Sequence, residues 1–209
     1  MNIKLKVLQP QELNRVMKNG DLRVPNESKY IRIRENNKTE WNVLDTVLGC
    51  NMKCPDCYAR TSTHILMRGI DFETPVPQIL NKKRLVGDLD RIKDKNGRNW
   101  VRNGVMGDPA YDWELAIETA RIVSEQGFYN VIMTKMPVLP TAGQLLRLSA
   151  YNTVLHLGLV VGYNISTDPD WGRKIVLMRM YQKWAGYDYA ILRVGTFAFD
   201  QTTTDGAEL

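Results

Sequence analysis

Five apolar runs recur along the chain, each closing on a small or polar residue: Trp41–Gly49 (WNVLDTVLG), Trp100–Gly107 (WVRNGVMG), Tyr129–Thr134, Thr153–Gly162 and Asp188–Gly195. Their length and β-branched content predict buried strands. Between the later runs the apolar spacing lengthens to that of a helix. In YDWELAIETARIVSEQG, residues Trp113, Ala116, Ile117, Ala120 and Val123 fall near one face, and Gly127 is the expected C′ residue. TAGQLLRLSA and WGRKIVLMRMYQKWAG also read as helices, the second ending at Gly186. Strand and helix in alternation, with nearly continuous apolar strands, predict an α/β fold: a parallel sheet covered by helices.

Ligands on such sheets bind beyond the carboxyl ends of the strands. The segments that follow the first four runs are the cysteine loop after Gly49, Asp108, Thr134-Lys135 and Tyr163–Thr167 (YNIST), so all four are expected on one rim. Residues 1–40 are polar and read as an N-terminal extension, with residues 41–209 as the core domain. One short strand is expected within the extension at KYIRIRE. There Ile31 and Ile33 alternate with Arg32 and Arg34, which assigns the two pairs to opposite faces.

Charge changes this picture at one place. Residues 82–102 carry eight basic and three acidic residues, a net +5 that equals the charge of the whole chain. The segment reads either as a solvated, salt-laced helix or as a flexible basic insertion that meets an anionic partner such as nucleic acid. No apolar run approaches the roughly 20 residues of a transmembrane helix. The first residues lack the apolar core of a secretory signal. The expectation is a cytoplasmic protein with no membrane partner.

All three cysteines, Cys50, Cys54 and Cys57, fall within eight positions in VLGCNMKCPDCYAR. They cannot pair off among themselves, and in a reducing compartment such a group binds metal or does redox work. Three thiolates spaced C-x3-C-x2-C can wrap a 4Fe–4S cube and leave one iron open to a small molecule. The rival is zinc, with His64 as a fourth ligand in a closed Cys3His site.

The triplet on a loop after a first strand resembles that of the radical S-adenosylmethionine enzymes. The longer stretch GCNMKCPDCYARTSTH resembles their spore photoproduct lyase-like branch, and so, more weakly, do GDPAYDWELAIETAR, VIMTKMPVL and the region from Asp168 to Val194. The resemblance covers about residues 41 to 195. It implies a partial, open βα barrel of TIM type with five to six parallel strands, the sixth being at most a stub in TFAFDQTTTDGAEL that a partner or second copy would complete. It implies a 4Fe–4S cluster on Cys50, Cys54 and Cys57 and S-adenosylmethionine chelated at the open iron. One electron from a flavodoxin- or ferredoxin-type donor would cleave that molecule to a 5′-deoxyadenosyl radical, which takes hydrogen from a substrate.

The same resemblance assigns roles to single residues. Met106, Gly107 and Asp108 match the element that binds the cofactor ammonium, and Asp108 also reads as a helix N-cap. Lys135 would meet the cofactor carboxylate or an anionic substrate. Asn164 and Ser166 would meet ribose hydroxyls, and Tyr58 the adenine. Arg193, at the end of the fifth run, is expected as a paired, inward charge near the cofactor. The branch often carries an aromatic where this chain has Asp56, and the chain lacks a fourth cysteine to donate hydrogen as in spore photoproduct lyase itself. The substrate expected from the basic segment is nucleic acid. A radical peptide-modifying enzyme is the alternative within the same chemistry, and a non-catalytic, zinc-stabilised nucleic-acid-binding module the alternative outside it.

Overall fold

A computed structural model of the chain describes residues 29–36, 41–54, 57, 59–60, 72–93, 99–160 and 168–195. The elements are β1 (Arg34–Asn36), β2 (Trp41–Leu44), β3 (Val47–Leu48), β4 (Val76–Pro77), α1 (Lys82–Lys93), β5 (Trp100–Asn103), α2 (Trp113–Glu125), β6 (Tyr129–Thr134), α3 (Ala142–Ser149), β7 (Thr153–Val160), α4 (Trp171–Ala185) and β8 (Ala190–Gly195), with 3₁₀ turns at Pro109–Tyr111 and Tyr187–Tyr189. The main sheet runs β1-β2-β5-β6-β7-β8. Its last five strands are parallel and lie in chain order, and β1 pairs antiparallel with β2. Among the described residues the sheet is not closed, and β1 and β8 lie at its ends. The stretch expected to hold a sixth strand, residues 196–209, lies outside the described residues.

The alternation of each strand sorts its side chains. Ile132, Leu155, Leu157 and Leu159 are buried on one face, where α2, α3 and α4 pack through Ala116, Ile117, Ala120, Leu145, Leu148, Met178 and Tyr181. A second core joins Leu44 and Val101 to α1 and to the end of α2. Helices α1 to α4 therefore cover the same face. The opposite face of β5 to β8 faces a cleft. The predicted face of α2 is the buried one, and Gly127 has the positive φ of 79° expected at C′. Helix α3 starts on a capping box, with Thr141 and Gln144 each bonded to the other's backbone N–H.

Four boundaries differ from the sequence pattern. The first run does not continue to Gly49 as one strand. Asp45 and Thr46 break it, because their polar groups turn away from the ladder to bond with the β5 loop, and β3 pairs with β4 instead. The second run ends at Asn103 rather than Gly107. Gly104 turns the chain at φ +98°, where a Cβ would lie 2.4 Å from Met133 O. The last strand begins at Ala190, after a 3₁₀ turn. Finally, the first twelve residues of the basic segment are α1. Leu85, Asp88, Leu89 and Ile92 recur at three- and four-residue intervals and are buried, which leaves Lys82, Lys83, Arg84, Arg91 and Lys93 exposed. Residues 94–98 of that segment lie outside the described residues.

Residues 29–36 also join the main body. Ile31 and Ile33 are 1% and 4% exposed within the second core, while Arg32 and Arg34 face outward, as their alternation predicts. Among the described residues no helix is long and apolar enough to cross a membrane.

Candidate metal and cofactor site

The site is built where the chain leaves β2. The buried Asp45 carboxylate accepts hydrogen bonds from Val105 N–H and Met106 N–H, both at 2.7 Å, and pairs with Arg34. One residue on, Thr46 donates from both N–H and Oγ1 to Asn103 Oδ1. Gly49 N–H then donates to Met106 O at 2.9 Å, and Gly49 and Gly107 form a parallel bridge. The two backbones approach so closely that a Cβ on Gly107 would lie 2.2 Å from Val47 O. Three successive ties thus clamp the start of the cysteine loop to the loop after β5.

From there Cys50 N–H donates to Phe72 O at 2.7 Å, and Cys57 N–H to Cys54 O at 3.2 Å. Arg60 N–H donates to Cys57 Sγ at 3.4 Å. Tyr111 Oη lies 3.8 Å from Cys50 Sγ, accepts from Asn51 N–H at 3.1 Å and donates to Asn51 Oδ1. Cys54 is buried, and Cys50 and Cys57 are half-buried.

Asp108 ties the next two strand ends together. It caps the 3₁₀ turn by accepting from Ala110 N–H at 3.0 Å, and it also accepts from Thr134 Oγ1 at 2.6 Å and Lys135 N–H at 2.8 Å. Behind them the nearly buried Lys174 donates to Lys135 O at 2.8 Å and pairs with Asp168. A carboxylate offers about four acceptor positions, and three of those on Asp108 are filled from within the chain.

These residues border one cleft of about 270 Å³. Its lining includes Cys50, Cys54 and Cys57, the expected Gly107, Asp108, Lys135 and Arg193, and apolar walls from Ala59, Phe72, Met133 and Leu159. Met106 is absent from the lining and acts through its backbone, as donor to Asp45 and acceptor from Gly49. Arg193 reaches the cleft but is exposed, and no described acid pairs with it. The segments that follow β7 and β8 in the chain lie outside the described residues. Tyr58, Asn164, Ser166, His64 and Asp56 lie outside the described residues. Sequence reasoning missed Arg102, His156, Phe72 and Tyr111. The period of two in WVRN and TVLHLGLV does carry a signal for the first two, since each alternates with residues of the helix-covered face.

Electrostatics follow from burial. Desolvation, the neighbouring Asp108 and Cys54 push the Cys50 thiol up to about 12, against hydrogen bonds from Met52 N–H and Tyr111. A thiolate here therefore needs a cation beside it. Burial also pushes the Asp108 carboxyl up, opposed by its three donors and by Lys174. Burial, then Arg193 and Arg102, hold His156 below the usual histidine range, so its ring is neutral near pH 7.

Among the described residues no three His, Cys, Asp or Glu side chains converge to hold a single metal ion. A cube asks for something else, because each of its cysteines binds a different iron and their sulfurs stand apart. Three thiols lining one cleft, with Cys50 and Cys57 each accepting a backbone N–H, fit that donor set. No family model, curated protein or solved structure matches the chain.

Proposed function

We propose that the chain is a radical S-adenosylmethionine enzyme on a partial βα barrel of TIM type, with Cys50, Cys54 and Cys57 as ligands of a 4Fe–4S cluster. The observation that carries this reading is the meeting of all three cysteines with Gly107, Asp108 and Lys135 in one cleft at the carboxyl ends of a parallel sheet. The cluster, when bound, supplies the electron that cleaves S-adenosylmethionine to a 5′-deoxyadenosyl radical.

The chain's own residues have defined tasks in this scheme. Cys50, Cys54 and Cys57 would hold three irons of the cluster. Asp108 keeps the loops after β5 and β6 in register, and its remaining acceptor position suits the cofactor ammonium. Lys135 suits a carboxylate. Ala59, Phe72, Met133 and Leu159 exclude water, which protects a reactive carbon radical from side reactions. The exposed bases of α1 suit a nucleic-acid substrate, held through phosphates without sequence readout.

Anaerobic reconstitution tests the scheme. The protein should turn brown and bind about four irons and four sulfides per chain. With a low-potential reductant it should convert S-adenosylmethionine to 5′-deoxyadenosine, assayed with and without DNA, RNA or peptide. Cys54→Ala should abolish both the visible band and the cleavage. A colourless protein with one bound zinc would sink the proposal in favour of a closed Cys3His site.

A further inference from the structure

The face of the sheet not covered by helices carries three basic side chains on successive levels. The register pairs Arg102 with Val131, Val131 with Val154, Met133 with His156, and Gly158 with Arg193. Residues two apart on a strand share a face. Arg102, His156 and Arg193 therefore project from the same face, each two residues, or about 7 Å, further toward the rim than the last. Gly158, the register partner of Arg193, leaves the space beside it open. All three line the same cleft as the cysteines, and Lys135 adds a fourth basic group at the rim.

Among the described residues one acid, Asp108, lines that cleft, and it is already matched by three donors and by Lys174 behind it. Asp45 lies near Arg102 but is also paired with Arg34. The lining is thus net positive and otherwise largely apolar. His156 Nε2 is a buried atom with no hydrogen-bond partner among the described residues. A buried polar atom left in that state calls for a partner outside the described residues, and the open cleft beside it offers room for a ligand. A cleft with apolar walls and a few convergent polar groups is the usual form of a small-ligand site, and its low dielectric strengthens each charge.

We propose that the wall formed by Arg102, His156 and Arg193 binds an anionic group of the substrate, a phosphate or carboxylate, below the rim that the cofactor occupies. The neutral His156 ring donates from Nε2, and Arg193 donates at the open end. Calling the anion a substrate group rests on the proposed function, in which the cofactor's own carboxylate is engaged at iron. The basic wall itself belongs to the chain with or without a cluster.

The probe is inorganic phosphate, titrated calorimetrically into the full chain, both as purified and after anaerobic reconstitution with S-adenosylmethionine present. Saturable binding is expected in both. Arg193→Gln and His156→Asn should each weaken it about tenfold, the effect of losing one charge-assisted hydrogen bond. Arg193→Lys should restore part of the loss. Lys183→Gln, on an exposed stretch of α4, should change nothing, and thermal midpoints would show that the variants fold. Absence of saturable binding, or binding indifferent to both substitutions, overturns the inference. So does displacement of phosphate by S-adenosylmethionine, which would assign the wall to the cofactor's carboxylate. Intact, variant-sensitive phosphate binding in a chain that takes up no iron would keep the anion site and sink the proposed function.

Discussion

Buried charges at single positions decide how this chain is held together. Asp45, Asp88, Asp108 and Lys174 are each at most 5% exposed, and each bonds groups far away in sequence. Asp88 is the clearest case for titration. Burial pushes its carboxyl up, but the Arg32 guanidinium, the Ile33 N–H and Arg91 pull it further down, so it ends below the usual carboxylate range. A depressed acid stabilises the fold fully above its unfolded pKa, about 3.9, and loses that contribution as pH falls through the lower folded value. Comparing the chain with Asp88→Asn by urea denaturation should show a gap that is constant from neutral pH down to about pH 4 and closes below it. A gap that widened in acid would show that Arg32 and Arg91 do not hold the carboxylate. None of these partners is legible in sequence, where Asp88 reads only as one acid in a basic run.

At the level of elements, backbone proximity matters more than side-chain character. Gly107 reads in sequence as part of a motif; in the fold it is the point where the loop after β5 touches Val47 and Gly49. Gly107→Ala forces a Cβ to 2.2 Å from one backbone oxygen and 2.9 Å from another. It should cost about 1–3 kcal/mol, read as a lower urea midpoint, and should reduce iron uptake on reconstitution because the cysteine loop hangs from this contact. Gly87, inside α1 with nothing within 4 Å of a Cβ, is the control. Gly87→Ala should stabilise by about 0.5–1 kcal/mol, and equal losses at both positions would refute the clamp. Helix α1 shows why the basic segment reads two ways: its charges are visible one by one, whereas the buried stripe at Leu85, Leu89 and Ile92 is short.

Across the whole molecule, two hydrophobic cores share one helix. Ala116, Ile117 and Ala120 of α2 belong to the core under β6 and β7, while Ile122 and Val123 belong to the core under β2 and β5. Coupling through α2 should make the two melt together. Leu89→Ala and Leu155→Ala, one in each core, should each cost about 2–5 kcal/mol and shift a single common transition, followed by circular dichroism and by tryptophan fluorescence. Two separated transitions in either variant would show that the cores unfold independently. The shared face also bears on the cleft: with α1 to α4 on one side, the other side of β5 to β8 is left to carry Arg102, His156 and Arg193.

The one-dimensional pattern was enough to determine the class of fold, the five parallel strands, three of the four helices and the crowding of the cysteines, because periodicity and local propensity are properties of neighbouring residues. It also set that the cysteine loop, Asp108 and Thr134-Lys135 meet at the strand ends, since parallel strands in alternation with helices bring their following loops to one edge. Tertiary structure alone decided that the first strand breaks at Asp45, that Ile31 and Ile33 enter the core, that Asp108 accepts from Ala110, Thr134 and Lys135, and that Arg102, His156 and Arg193 share a cleft. Each of those facts depends on strand register or on contact between residues dozens of positions apart. Burial then changes the chemistry of the groups it joins.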